Sequence, residues 1–109
     1  MHVWSGDLVL KVGIAGTLES NDCIITVLES DKLIIEVKSV VYDFFGKHIE
    51  NFIKNIVDEL KIKNIKVICE DKGALDYTIK ARLITAIKRL EEQKWEEVYY
   101  LFRVIIQEC

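Results

Sequence analysis

The chain has 109 residues, of which 50% are hydrophobic and 30% charged, and its 18 acidic and 15 basic side chains give a formal net charge of −3. This length and composition are typical of one globular domain with one core, which we expect to span residues 1–109. The acidic balance argues against a nucleic-acid binder, because a phosphate backbone requires clustered positive charge. No apolar run approaches the roughly 20 residues of a membrane span, so we expect no transmembrane helix, and no signal-peptide pattern is present.

The cysteines are Cys23, Cys69 and Cys109, an odd number without C-x-x-C spacing. Together with His2 and His48 they provide too few well-spaced ligands for a zinc site. We therefore expect reduced thiols in a cytoplasmic protein and no metal site.

Three strands are predicted in the first part of the chain. They cover residues 8–14, where apolar side chains alternate, residues 23–28, which are β-branched and apolar, and residues 33–37. The small and polar residues at 16–22 and 29–32 are typical of turns. Ser39 is a candidate N-cap for the helix that follows.

From Val41 onward the hydrophobic period changes. Apolar residues recur every three or four positions as far as Leu60, which predicts an amphipathic helix of about five turns. Ile65, Val67 and Cys69 then alternate with other residues and predict a fourth strand.

A second helix is predicted after Asp76, which is placed to act as its N-cap. Its apolar positions are Ile79, Leu83, Ala86, Ile87 and Leu90. Beyond it, a helical stripe runs from Trp95 to Ile106, although residues 99–106 are also rich in β-formers. We interpret this last stretch as a helical tail.

The predicted order is therefore β-β-β-α-β-α. Consecutive strands joined by short turns should pair antiparallel, whereas the third and fourth strands, joined by a helix, should lie parallel through a right-handed crossover. With both helices on one face, this pattern predicts an α+β two-layer sandwich on a mixed four-stranded sheet, followed by the C-terminal tail.

Residue types alone do not support an enzyme that acts by itself. The glycines, at 6, 13, 16, 46 and 73, match neither nucleotide-binding fingerprint. We interpret His48, among charged neighbours in the middle of a helix, as a solvated surface histidine. His2 lies in a terminus, and no nucleophile has an evident base.

The turn at residues 16–22 has two interpretations. It is either a solvated hairpin loop whose polar side chains bond to their own backbone, which composition favours, or a loop that presents the Ser20 hydroxyl for covalent modification between Glu19 and Asp22.

Three motifs decide between these interpretations: AGTLESND at 15–22, DKGALD at 71–76 and KARL at 80–83. In this order and spacing they resemble the acyl carrier subunit (gamma chain) of citrate lyase. Phe45-Gly46 and Trp95-Glu96 fit the same family. The resemblance covers about residues 14–97 and leaves 98–109 as a C-terminal extension.

The resemblance implies that Ser20 carries a phosphoribosyl dephospho-coenzyme A group through a phosphodiester, with Gly16, Glu19 and Asp22 supporting the loop. Family members often have a second serine where this chain has Asn21, which leaves Ser20 as the sole hydroxyl candidate at that point. The aspartate-serine-leucine motif of conventional phosphopantetheine carriers does not occur in this sequence.

The implied chain is a non-catalytic carrier whose arm bears an acetyl thioester. The alpha (transferase) subunit exchanges acetate for citrate, and the beta (lyase) subunit cleaves the citryl thioester to oxaloacetate and regenerates the acetyl thioester. The implied partners are these subunits and the prosthetic-group-attaching enzyme, with no nucleic acid or membrane.

Alternatives remain open at this point. The carrier of malonate decarboxylase uses the same group but lacks the threonine-leucine-glutamate run, and a citramalate lyase carrier cannot be separated by these residues. A third alternative is an assembly module without the group.

Several charged residues keep two interpretations. Glu19 and Asp22 either guide the loop into basic partner sites or keep the turn solvated. Residues 71–76 form either a turn with a helix cap, which we favour, or a docking surface. The basic side chains of the second helix form either a solvated face, which we favour, or contacts to the arm's phosphates; they are Lys80, Arg82, Lys88 and Arg89.

Overall fold

A computed structural model describes residues 11–40 and 42–92 of the chain. In chain order its elements are β1 Val12–Gly16, β2 Cys23–Glu29, β3 Ile34–Ser39, α1 Tyr42–Glu59, β4 Ile65–Asp71 and α2 Asp76–Glu92. The predicted element order is confirmed. Three predictions concern residues outside the described ones. They are the start of the first strand at residues 8–10, the helical tail from Trp95 to Ile106 and the C-terminal extension at 98–109.

The four strands form one mixed sheet in the order β1-β2-β4-β3. β2 pairs antiparallel with β1 and with β4, whereas β3 pairs parallel with β4. The parallel pairing of the third and fourth strands is as predicted. The expectation that β2 and β3 would pair with each other is wrong, because β4 lies between them.

The exposure of the strand residues agrees with this strand order. No residue of β4 is exposed on either face, which suits a central position with neighbours on both sides. β3 carries the exposed charges Glu36 and Lys38, which suit a sheet edge.

Both helices cover one face of the sheet. α1 packs on β3, α2 packs on β1 and β2, and the helices contact each other. The side chains of β2 and β4 that face the helices are fully buried; they are Cys23, Ile25, Val27, Val67 and Cys69. Gly13 lets α2 approach β1 closely, since a Cβ there would collide with the backbone carbonyl oxygen of Ala86. The two-layer α+β prediction is thereby confirmed.

The structure corrects both predicted helix caps. Ser39 ends β3, and its hydroxyl donates to Oδ2 of Asp71 at 2.8 Å. The backbone carbonyl of Leu75 accepts from the amide of Ile79 at 3.1 Å, so Leu75 holds the cap position of α2. Asp76 instead lies in the first helical turn, where a carboxylate is favoured by the helix dipole.

Cys23 and Cys69 are buried free thiols on neighbouring strands of the core. A hydrogen bond with Cys23, together with burial, raises the pKa of the Cys69 thiol. Such a thiol packs as a small hydrophobic side chain. Across residues 11–40 and 42–92, no cluster of His, Cys, Asp or Glu is placed to hold a metal ion. Within the same residues, neither helix has the length and apolar character required to cross a bilayer.

Candidate functional site

The loop at residues 17–22 lies at a crowded edge of the sheet. It joins β1 to β2, and Cys23 at the start of β2 is paired with Asp71 at the end of β4. Ser39 at the end of β3 is also paired with Asp71, so both parallel strands end here and both helices begin here. Every motif that resembles the carrier family between residues 15 and 76 therefore has residues at or near this edge.

Two backbone conformations shape the loop. Gly16 has a φ of 111°, and a Cβ at this position would collide with the carbonyl oxygen of Cys23, so only glycine fits there. Asn21 has a φ of 63°, which asparagine tolerates better than most residues. The amide of Asp22 donates to the carbonyl of Glu19 at 3.2 Å and closes a turn. Ser20 occupies the second position of this turn and is exposed.

Asp22 is the centre of the loop's hydrogen bonding. Arg82 of α2 donates from Nε to Oδ1 at 3.1 Å and from Nη2 to Oδ2 at 2.9 Å, a bidentate pair. The hydroxyl of Thr17 donates to Oδ2 at 2.7 Å, and the amide of Cys23 donates to Oδ1 at 2.7 Å. The Asp22 side chain is only 14% exposed. This carboxylate therefore fixes both ends of the loop to α2.

The same contacts shift the ionisation of the pair. The hydrogen bonds from Arg82, then from Thr17 and the Cys23 amide, lower the pKa of Asp22 from 3.8 to about 2. Reciprocally, the carboxylate of Asp22 raises the pKa of Arg82. The pair thus stays ionised throughout the physiological range and holds the loop as a permanent clamp.

Backbone hydrogen bonds join the loop to the turn between β4 and α2. The amide of Asn21 donates to the carbonyl of Lys72 at 2.8 Å, and the amide of Lys72 donates to the carbonyl of Asp22 at 2.9 Å. Gly73, with a φ of 94°, lies beside the side chain of Asn21. The loop with Ser20 is therefore supported on both sides, by its own hairpin and by the adjacent turn.

Asp71 supports that adjacent turn from inside. It is the buried polar residue of the described core, 2% exposed. Its Oδ1 accepts from the amide of Ala74 at 2.8 Å, and its Oδ2 accepts from the Ser39 hydroxyl. Asp71 thus ties the end of β3 to the turn that leads into α2, and both of its oxygens have the hydrogen bonds that a buried polar group requires.

A histidine–carboxylate pair links the two helices at this edge. Nε2 of His48 in α1 lies 3.0 Å from both carboxylate oxygens of Asp76 in α2, and both side chains are about half exposed. The His48 ring also stacks on Phe52, with ring centroids 6.0 Å apart. The interpretation of His48 as merely solvated is therefore incomplete, because it contributes to the contact between α1 and α2.

The structure places three of the four predicted site residues in the loop and the fourth, Gly16, at the end of the strand that leads into it. Ser20 is exposed as expected, and Gly16 is required by the backbone. Glu19 is exposed and contributes its backbone carbonyl to the turn. The Asp22 carboxylate supports the loop, because Thr17, the Cys23 amide and Arg82 all donate to it, and it is therefore not free to guide the loop into a partner site.

The sequence interpretation misjudged two residues of this site and gave no individual role to two others. Arg82 is not part of a solvated face, since it clamps Asp22, and Arg89 donates to the carbonyl of Ile14 at 2.6 Å. Lys80 and Lys88 are exposed, as predicted. The supporting roles of Lys72 and Asp71 have no sequence signal beyond their place in the second motif.

Comparison with known proteins agrees with this geometry. Residues 11–90 match the family model of the malonate decarboxylase delta subunit (MdcD). The fold also resembles a chain in the crystal structure of a Pseudomonas malonate decarboxylase hetero-tetramer in complex with malonate, with a TM-score of 0.61, 19% identity, and coverage of 77% of this chain and 84% of that chain. The class is thus a small α+β carrier domain.

The curated relatives narrow the class. The citrate lyase acyl carrier protein of Treponema denticola is 44% identical over 85 residues, covering 78% of this chain and 98% of the relative. That of Halothermothrix orenii is 44% identical over 74% of this chain and 87% of the relative, and that of Haemophilus influenzae strain PittEE is 42% identical over 83% and 97%. The chain belongs to the citrate lyase acyl carrier protein family.

Proposed function

We propose that this chain is the acyl carrier subunit of citrate lyase and that Ser20 carries phosphoribosyl dephospho-coenzyme A through a phosphodiester. The observation that supports this most directly is the setting of Ser20. Its side chain is exposed at the tip of a turn whose two flanks are clamped, by Asp22 to α2 and by Asn21 to the turn after β4. An exposed hydroxyl on a rigid mount suits covalent modification by a second enzyme.

The residues of the loop fit a long charged group at Ser20. Because Asp22 is paired with Arg82, it adds little net negative charge beside the phosphodiester. Gly16 and Asn21 fix the turn that points Ser20 outward. Once attached, the group supplies a thiol that carries acyl groups as thioesters. The protein then contributes presentation, and tethering keeps the thiol at roughly millimolar concentration near the active sites of its partners.

The proposed partners follow from this division of labour. They are the alpha (transferase) and beta (lyase) subunits of citrate lyase, together with the prosthetic-group-attaching enzyme. Glu19 is exposed next to Ser20 and is suited to guide the loop into basic sites on these proteins. In this proposal the chain itself performs no bond-breaking step. The proposed location is the cytoplasm, where free thiols such as those of Cys23 and Cys69 stay reduced.

A second candidate is the carrier subunit of malonate decarboxylase. The family model carries that name, and the shared fold with a chain of the Pseudomonas hetero-tetramer favours the same architecture. Against it stand the curated relatives above 40% identity, which are citrate lyase carriers. A citramalate lyase carrier remains a variant of the first proposal, since substrate choice would belong to the partner subunits.

The deciding experiment is intact mass followed by peptide mapping. The chain is co-produced with the prosthetic-group-attaching enzymes of its own organism, which are shown to modify a known carrier. We expect a mass increase equal to phosphoribosyl dephospho-coenzyme A, located at Ser20. An unmodified chain under those conditions would reject the proposal. Adding the modified chain to carrier-free citrate lyase and to carrier-free malonate decarboxylase then separates the two candidates.

A further inference from the structure

A cleft of about 770 Å³ opens between the first turns of α1 and α2. Phe45, His48 and Ile49 line it from α1, and the segment from Gly73 to Tyr77 lines it from the other side, with Asp71 contributing to the lining. This volume falls in the range of about 300–1,000 Å³ that is usual for small-molecule sites in proteins. None of the functions derived above uses this space.

The lining is mainly apolar and unusually exposed. Phe45 is 56% exposed, Leu75 is 59% exposed and Tyr77 is 72% exposed. The acidic and basic side chains in the lining are the paired His48 and Asp76, 3.0 Å apart, and the buried Asp71, whose carboxylate is engaged by Ser39 and Ala74. Apolar walls with a few placed polar groups suit an uncharged chain of methylene and amide groups better than a phosphate or a carboxylate.

The cleft is continuous with the loop that carries Ser20. Gly73 lines the cleft, and a Cβ added to it would lie 3.5 Å from Oδ1 of Asn21, the residue after Ser20. Gly73 has no side chain to stand between the two features. The adjacent Lys72 is hydrogen-bonded to Asn21 and Asp22, which fixes the loop relative to the cleft.

We propose that this cleft seats the pantetheine portion of the arm attached to Ser20 while the carrier is away from its partners. The inference rests on the proposed function, because it needs the arm. Tethering makes weak affinity sufficient: with an effective concentration of ~1 mM, a dissociation constant of ~1 mM fills the cleft about half of the time. The seat shields the thioester end and releases it when a partner subunit offers a competing site.

The test compares backbone amide NMR spectra of the unmodified and Ser20-modified full chain, with modification verified by mass. We expect amide shifts at residues 45–49 and 73–77 in addition to those of the loop at 17–22. We also expect nuclear Overhauser contacts between the pantetheine methyl groups and the rings of Phe45 and Tyr77. Shifts confined to residues 17–22 would overturn the inference while leaving the proposed function intact.

Phe45→Ser and Phe44→Ser form a matched pair of variants. Phe44 is the neighbouring phenylalanine, 84% exposed, and it does not line the cleft. We expect Phe45→Ser to abolish the modification-dependent shifts at residues 73–77 and Phe44→Ser to preserve them. Equal loss in both variants would contradict a specific seat. Since both side chains are more than half exposed, both variants should fold.

A separate titration keeps the cleft testable if Ser20 proves unmodified. Free S-acetylpantetheine is added in the millimolar range to the unmodified chain. Saturable shifts at residues 45–49 and 73–77 would support the part of the inference that concerns the cleft, namely that it binds pantetheine, even if the mass result rejects the carrier proposal. If S-acetylpantetheine causes no shifts at these residues, the inference is overturned. It is also overturned if these residues shift only when partner subunits are added, because the cleft would then have another occupant.

Discussion

The guanidinium of Arg82 donates to both carboxylate oxygens of Asp22, at 3.1 and 2.9 Å, across 60 residues of sequence. This pair joins the middle of α2 to the loop that exposes Ser20. An attachment loop must satisfy two demands at once, since its serine has to reach another enzyme while its backbone stays in place. The contact between Arg82 and Asp22 holds the backbone of the loop in place and leaves the side chain of Ser20 exposed.

Loss of the Arg82 clamp should loosen the loop. Arg82→Gln removes both hydrogen bonds to Asp22, and Arg82→Lys keeps the charge but not the planar fork that binds both oxygens. We expect amide hydrogen exchange at Asn21, Asp22 and Cys23 to be fastest in Arg82→Gln, intermediate in Arg82→Lys and slowest in the native chain. The melting temperature should rise in the same order.

Lys80→Gln is the control for that series, because it removes the same charge from an exposed position of the same helix. It should leave exchange of the loop amides unchanged. If Lys80→Gln and Arg82→Gln accelerate exchange equally, the effect is one of net charge and the clamp has no specific role.

The lowered pKa of Asp22 predicts a dependence of stability on acid. The carboxyl has a pKa of about 2 in the fold against 3.8 ordinarily, so the unfolded chain binds the proton first. The stabilisation from this group is fully present above about pH 4 and is lost as pH falls toward about 2.

The measurement is urea unfolding of the native chain and of Asp22→Asn at several pH values. The native chain should be the more stable of the two near about pH 6, and the gap should close as the pH approaches about 2. Other carboxyl groups are common to both proteins and cancel in the difference. A gap that stays constant with pH would show that the lowered pKa of Asp22 does not contribute to stability.

Two glycines allow backbone strain and steric collision to be separated. Gly73→Ala, at a φ of 94°, adds a Cβ that meets only Asn21 at 3.5 Å, so we expect the cost of left-handed strain alone, about 1–2 kcal/mol. Gly16→Ala, at a φ of 111°, adds a collision with the Cys23 carbonyl and should cost clearly more. Denaturant unfolding gives both free energies. Equal costs would mean that the chain around Gly16 relaxes freely.

Periodicity predicted the elements well and their pairing less well. The three-and-four spacing from Val41 to Leu60 predicted a helix that the structure places at Tyr42–Glu59, because one apolar face packs on the sheet. The short link between β2 and β3 suggested a hairpin, but link length carries no information about a third strand. The structure places β4, which has no exposed residue, between them.

In the candidate site, too, local features could be predicted from the sequence and tertiary contacts could not. The exposed position of Ser20 follows from the polar turn composition of residues 16–22, whereas the loop-supporting role of Gly16 was implied by the family resemblance. The clamp follows from neither, since Arg82 occupies a helical position whose neighbour in space is set by tertiary packing. The role of Asp71 could not be predicted from the sequence either. Nothing local distinguishes a carboxylate in a surface turn from one that is 2% exposed and bonded to Ser39 and Ala74.

Removal of the Asp71 carboxylate should destabilise the whole edge. Asp71→Ala leaves the amide of Ala74 without the acceptor it has in the fold, which costs about 1–3 kcal/mol in a buried setting. Asp71→Asn keeps an oxygen for that amide and an NH2 group that can donate to the Ser39 hydroxyl, so it should lose less. Chemical unfolding of both variants measures this. Asparagine as damaging as alanine would show that charge, and not hydrogen bonding, holds the turn.

Replacement of the Ser20 hydroxyl should separate function from folding. Ser20 is exposed, so Ser20→Ala should change the free energy of unfolding by no more than about 0.5 kcal/mol. It should nevertheless abolish the mass increase and any activity of the assembled complex. Ser30→Ala, in the turn between β2 and β3, is the matched control and should be modified like the native chain. An exposed serine on a clamped loop can be essential for attachment while contributing little to the fold. A large loss of stability in Ser20→Ala would therefore show that this hydroxyl is structural and would contradict the prediction.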